Sequence, residues 1–249
     1  MIKFFRKIRY NLMSENKTGK YFKYAIGEIV LVMVGILLAL QVNNWNEKRK
    51  QDRYEREMLI DIYSSLKSDY NRCQNVLSTL NKQFIANDSI IKFMENKTGD
   101  ITTINDYFNT TSISYQIDFQ ISAYESLKSK GLDIISNDSL RKSLINLYDY
   151  AYPRILNKFS NYNIHLRNEW RPFMINNFQF KIESDNNGIS RHPIDFDKLN
   201  SETKMENILI LNRALIVNKK NNLRQLMNKL ENILEFIRKT TIVDSSNNK

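Results

Sequence analysis

A run of eighteen residues near the start, Ala25–Val42 (AIGEIVLVMVGILLALQV), limits what this chain can fold into more than any other feature. Its central part, Ile29–Leu40, contains nothing polar. As an α-helix the run is roughly 27 Å long, close to the hydrocarbon thickness of a bilayer. Tyr21, Phe22 and Tyr24 precede it and Trp45 follows it, rings of the kind that settle at membrane–water interfaces. We take Tyr21, Tyr24 and Trp45 as interface anchors, with Lys20 and Lys23 carrying their charge outward. These flanks favour a membrane span over a buried core helix. A cleaved signal peptide fits less well, because the leader is long and Ala39-Leu40-Gln41 is a poor cleavage signature.

Charge supports the same reading. Residues 1–24 hold seven basic side chains and one acid, so more than half of the +10 net charge lies in the first tenth of the chain. A basic surface over the whole domain would point to nucleic acid; an excess beside an apolar run points to anionic lipid headgroups. Residues 1–13 have the pattern of an amphipathic helix, with Phe5, Ile8 and Leu12 on one face and Lys3, Arg6, Lys7 and Arg9 placed for headgroups. Basic residues before the run outnumber the five that follow it through Asp61, which puts the N-terminus in the cytoplasm and the rest across the inner membrane. The expected division is a basic amphipathic segment (1–20), a transmembrane helix (21–45), an extracytoplasmic helical domain (46–243) and a disordered tail (244–249).

Glu28 is the one ionisable residue in the run. On a helix, Gly35 and Ala39 fall within about 20° of its direction. That stripe of one acid and two small residues suits association of two transmembrane helices. The competing reading is an acid one turn inside the boundary that reaches water and favours the helix N-terminus.

Beyond Asn43 the chain reads as helical. Leu59, Ile62, Leu66, Tyr70, Cys73, Leu77, Leu80, Phe84, Ile91 and Met94 form one apolar stripe, and Asn96-Lys97-Thr98-Gly99 ends it. Cys73 lies on that stripe and reads as a small core residue. A second helix, Ser122–Lys130, ends at Gly131. A third starts at the capping cluster Asn137-Asp138-Ser139 and carries Leu140, Leu144, Leu147, Ala151, Ile155, Phe159, Tyr162, Leu166 and Trp170. Pro153 predicts a kink within it and Pro172 its end. A fourth spans about Ser201 to Ile242. Strict alternation at Ile113–Ile121 and at Phe178, Phe180 and Ile182 has the strand period instead, leaving open a pairing of these two segments or an extended loop. The fold class is mainly α: a transmembrane helix followed by a long-helix antiparallel bundle, with a minor two-stranded element. Coiled-coil packing between subunits is the other use for such stripes.

Recognisable catalytic chemistry is missing. One Cys and two His, with no paired ligand spacing, predict no metal site and no cofactor. No nucleophile elbow or phosphate loop is present. His192, Asp195 and Asp197 read as a solvated loop, and Arg167, Glu169 and Arg171 as a charged helix end around Trp170.

The opening fifty residues, with Gly27-Glu28 before the apolar stretch and Asn43-Asn44-Trp45 at its exit, resemble a family of bacterial membrane proteins of unknown function. Tyr124–Tyr150 is similar to the same family. The resemblance implies a single-pass membrane protein and no known activity. The expected function is a non-catalytic interaction or scaffolding protein, with the bilayer, a second copy, or a membrane or envelope protein as partner, and not nucleic acid. The alternative is an extracytoplasmic small-ligand sensor that signals through a partner membrane protein.

Overall fold

A computed structural model describes residues 10, 18–96, 101–111, 113–182, 188–201 and 203–246. The protein is mainly helical. The helices are α1 (Thr18–Asn96), α2 (Ile101–Thr111), α3 (Ser122–Lys130), α4 (Asp138–Ile145), α5 (Tyr152–His165), α6 (Arg171–Asn177), α7 (Phe196–Ser201) and α8 (Thr203–Ser246), with one hairpin of β1 (Phe178–Ile182) and β2 (Ile189–Pro193). Two units divide at Glu55–Arg56, inside α1.

In the first unit α1 carries the apolar run. It is long and apolar enough to cross a membrane, and none of its most apolar stretch is buried by protein. From Ile29 to Leu40 each large side chain is about half exposed or more.

The second unit has a core in two blocks. One gathers Leu59, Ile62, Leu66 and Cys73 from α1 with Leu140, Leu144, Leu147 and Ile155, and with Leu223, Leu226 and Leu230 from α8. The other gathers Ile90, Phe108, Leu166, Trp170, Phe173, Phe178, Leu209 and Ile216. The helical stripes read from the sequence are thus the faces that pack. Cross-links fix direction. Tyr70 donates to Glu231, Lys220 lies over the Phe84 ring at 4.5 Å, and Arg213 pairs with Asp88 at 3.1 Å, so α8 runs opposite to α1. Lys229 reaches Asn146 and Lys158 reaches Asn218, so α8 also runs opposite to the helical segment from Asn146 through α5.

Local chemistry sets the element ends. The side chain of Asn137 accepts from the backbone N–H of Leu140, capping α4. Gly131 ends α3 at φ 113°, a region in which a side chain is strained. α4, α5 and α6 form one helical run through two wide turns, Asn146–Ala151 and Leu166–Trp170, with π-type bonding. Each wide turn precedes a proline at the second position of the next helix. A proline ring crowds the carbonyl four residues back, here Asp149 and Asn168, and each of these lies inside a wide turn. The expected kink at Pro153 therefore takes the form of a wide turn. Pro172, expected to close the helix, does not: the same adjustment carries it on to Asn177. The wide turns also explain the stripe, whose steps are mostly of four residues, too long for an unbroken α-helix to keep in phase.

Strand pairing differs from the pairing that the sequence left open. β1 pairs with β2 in antiparallel register, Phe178 opposite Pro193 and Ile182 opposite Ile189. Residues 113–121 form no strand. Their alternation is real, since Ile117 is buried, but helix side chains take up their backbone groups. Gln83 donates to the carbonyl of Ile113, Asn163 to that of Tyr115, and Asp69 accepts from the N–H of Gln120. The sequence reading did not foresee α2, which packs on β2 through Asn105–His192 and Asn109–Arg191 hydrogen bonds. α8 runs to Ser246, into the stretch read as a tail.

Candidate functional site

The residues singled out from sequence lie mainly in the first unit. Glu28, Gly35 and Ala39 lie along one side of α1. A side chain built at Gly35 would meet nothing within 4 Å, so that face is open. Tyr24 and Trp45 are exposed, and the Arg49 guanidinium lies 5.9 Å from the Trp45 ring centre. The side chain of Tyr21 and the cluster Lys3, Arg6, Lys7 and Arg9 lie outside the described residues. The loop reading of His192, Asp195 and Asp197 needs correction. His192 is in β2, bonded to Asn105 and Ser190, and Asp195 accepts from the N–H of Lys198 at the start of α7. The reason is that the strand opposite β1 runs through Pro193, at its last position, where proline is tolerated. Among the described residues no three His, Cys, Asp or Glu side chains are gathered to hold a metal ion.

Two buried polar sites in the second unit escaped the sequence reading. The first is Asp69 on α1, which is fully buried. Its carboxylate accepts from the Tyr152 hydroxyl at 2.7 Å and from the Gln120 N–H at 3.0 Å. Burial pushes its pKa above the ordinary carboxylate value, while the hydroxyl and the N–H oppose that rise. Around it, Phe119 stacks on Tyr152 with ring centres 3.9 Å apart, and Tyr124 stacks on Tyr148 at 4.2 Å. Burial also raises these tyrosines, so their hydroxyls stay protonated. Arg72 pairs with Asp118 alongside. The arrangement pins residues 113–121 to α1. Cys73, one turn on, has its thiol pushed up to about 12 by burial, which leaves it a core residue without thiolate chemistry.

The second site lies where the two core blocks meet. One block stops at Leu80, Phe159 and Leu223; the other resumes at Ile90, Tyr162 and Ile216. Between them are Gln83 and Asn87 from α1 and Lys219 from α8, all buried, with Asn212 about two turns earlier in α8. Lys219 is 2% exposed. Its ammonium nitrogen sits 3.7 Å from the centre of the Tyr162 ring and 4.4 Å from that of Phe159. Among the described residues it has no hydrogen-bond partner, and neither do both ends of the Asn87 and Asn212 amides, the Tyr162 hydroxyl or Oε1 of Gln83. Burial alone lowers the Lys219 pKa to about 7. A signal existed in the sequence: each of these residues occupies an apolar phase of its stripe, as Asp69 does between Leu66 and Cys73.

The sequence pattern of a family of unknown function, DUF6090, matches residues 28–187. The chain belongs to the DUF6090 family. No curated protein and no solved structure matches it. The DUF6090 match begins at Glu28 and takes in the apolar run from there. It contains the whole Asp69 site, together with Gln83, Asn87, Phe159 and Tyr162, and it ends before α8 brings in Asn212 and Lys219.

Proposed function

We propose that this DUF6090 protein is a single-pass protein of the inner membrane, with a cytoplasmic N-terminus and an extracytoplasmic antiparallel helical bundle that acts by binding partners rather than by catalysis. One observation carries the reading: a band of large apolar side chains around α1 that the described residues leave uncovered. Water disfavours such a band and a bilayer accommodates it. The excess of positive charge before the band supports the orientation. Alkaline carbonate extraction tests the anchor. The full chain stays in the membrane pellet and needs detergent for release; recovery in the carbonate supernatant overturns the reading. Reporter fusions at the C-terminus test sidedness, with activity expected only from a reporter that works outside the cytoplasm.

The open face at Gly35 supports self-association within the membrane. Changing Gly35 and Ala39 together to Ile weakens dimer cross-linking in membranes, while Glu28→Gln leaves insertion intact. An unchanged dimer in the double variant removes this interface.

A second reading, a small-ligand sensor that signals through a partner membrane protein, is favoured by the unpartnered polar layer at Lys219.

A further inference from the structure

Lys219 poses a physical problem that the chain does not solve by itself. A buried ammonium is stable only when it is paired, coordinated or deprotonated. The two rings against Lys219 compensate its charge in part. Among the described residues, the charged groups on the surrounding elements give it no counter-ion. On α1, Asp88 is engaged by Lys92 and Arg213. On α5, Lys158 bonds to Asn218, and the ring of Tyr162 faces the amine with its hydroxyl unpartnered. On α8, the adjacent Lys220 and Arg213 add positive charge and lie over Phe84.

The groups that share the layer are donors as well as acceptors. Helical side chains lean toward the N-terminus of their own helix. The Lys219 amine therefore leans from the Leu223 level toward Ile216, in keeping with its shorter distance to Tyr162 than to Phe159. Across from it, the Phe84–Lys220 and Asp88–Arg213 contacts bracket the stretch of α1 that holds Asn87. Lys219, the Asn87 amide and the Tyr162 hydroxyl thus bring three unpartnered donors to one level of the core.

We propose that this layer is a binding site for a small monovalent anion, a halide or a short carboxylate, held by the Lys219 ammonium with Asn87 and Tyr162 as donors. One cation balances one negative charge; a dianion would bury a second charge with nothing to meet it. The apolar levels of Leu80, Phe159 and Leu223 on one side and Ile216 and Ile90 on the other restrict the ligand to a few atoms. An anion at Lys219 restores the charged amine, so binding takes up a proton at neutral or mildly alkaline pH. This deepens the sensor reading, and it holds or fails independently of the anchor.

The test uses the full chain in detergent, with formate, acetate and chloride as probes in thermal unfolding at constant ionic strength. At least one of them raises the melting temperature saturably by several degrees in the native protein and not in Lys219→Met. Calorimetry of that probe at about pH 8.5, where the free amine is largely uncharged, in buffers of different ionisation heat shows uptake of close to one proton per site. Asn87→Leu, which keeps the lysine, raises the half-saturating concentration several-fold. Equal, non-saturating shifts in the native protein and Lys219→Met mean that the layer holds water alone and overturn the proposal. Saturable binding without proton uptake, or with unchanged half-saturation in Asn87→Leu, overturns it as well. Neither result touches the carbonate extraction, so the failure of the site and the failure of the anchor are separate outcomes.

Discussion

Lys219→Met raises the melting temperature at pH 6.5 and low salt by roughly 6–12 °C, taking about 3 kcal/mol of stabilisation at 2–4 °C per kcal/mol for a chain of this size. The gain comes from removing a buried amine that the fold holds near neutral pKa, against about 10.5 for an exposed lysine. Each unit of that difference is about 1.4 kcal/mol of linked free energy. The sign follows from proton counts. Between pH 7 and 10.5 the unfolded chain keeps a proton on Lys219 that the folded chain has lost, so stability rises with pH across this window. Below about 7 both states are charged and the full penalty is present. Met has similar length, makes the same ring contacts and carries no proton, so the slope between pH 7 and 10 flattens in the variant. Melting curves at half-unit pH intervals on both proteins give both quantities. A variant that melts at or below the native temperature shows that the amine contributes binding energy that outweighs its burial.

Asp69→Ala has a comparable effect in the opposite direction. It leaves the Tyr152 hydroxyl and the Gln120 N–H without an acceptor in the core. At about 1–3 kcal/mol for each orphaned buried group, the loss is roughly 2–6 kcal/mol. Asp69→Asn keeps one acceptor and costs less. The two changes also differ in pH response. Burial raises the folded pKa of Asp69 above 3.8. Its contribution to stability is therefore fullest below that ordinary value and is lost as pH rises through the folded one. The Asn variant lacks this dependence. Denaturant unfolding at pH 4 and pH 7 separates the two. Hydrogen exchange at Gln120 adds a local readout, since its protection depends on the Asp69 carboxylate.

The helices were legible because their faces follow one rule. Most of the apolar residues that recur at helical spacing from Leu140 to Trp170 and from Leu223 to Ile237 are buried. Gly131 and Asn137 marked element ends correctly because each does something no neighbour can: one takes φ 113°, the other caps with a side-chain oxygen. The same rule hid the two polar sites. Asp69, Gln83, Asn87 and Lys219 stand at buried phases, but a polar residue in a stripe reads as its edge; Tyr70 and Phe84, their neighbours, took the assignment and proved only half-buried. The segment 113–121 misled for a different reason. Alternation reports which side chains face inward, not what bonds the backbone, and here helix side chains do that work. β2 was invisible because ISRHP is short and ends in proline.

The wide turns and the tyrosine stacks keep the second unit in register, but the layer at Lys219 divides what they hold. Apolar contact makes unfolding cooperative, and across this layer such contact is interrupted. The two halves of the core can therefore come apart in sequence: the block around Trp170 and the hairpin can open while the block around Asp69 stays closed. Helices α1, α5 and α8 thread both, and each would then behave as a rod clamped at one end and free at the other. A fault line of this kind, set where a charge can come and go, is the level at which the two blocks would part without any change of fold.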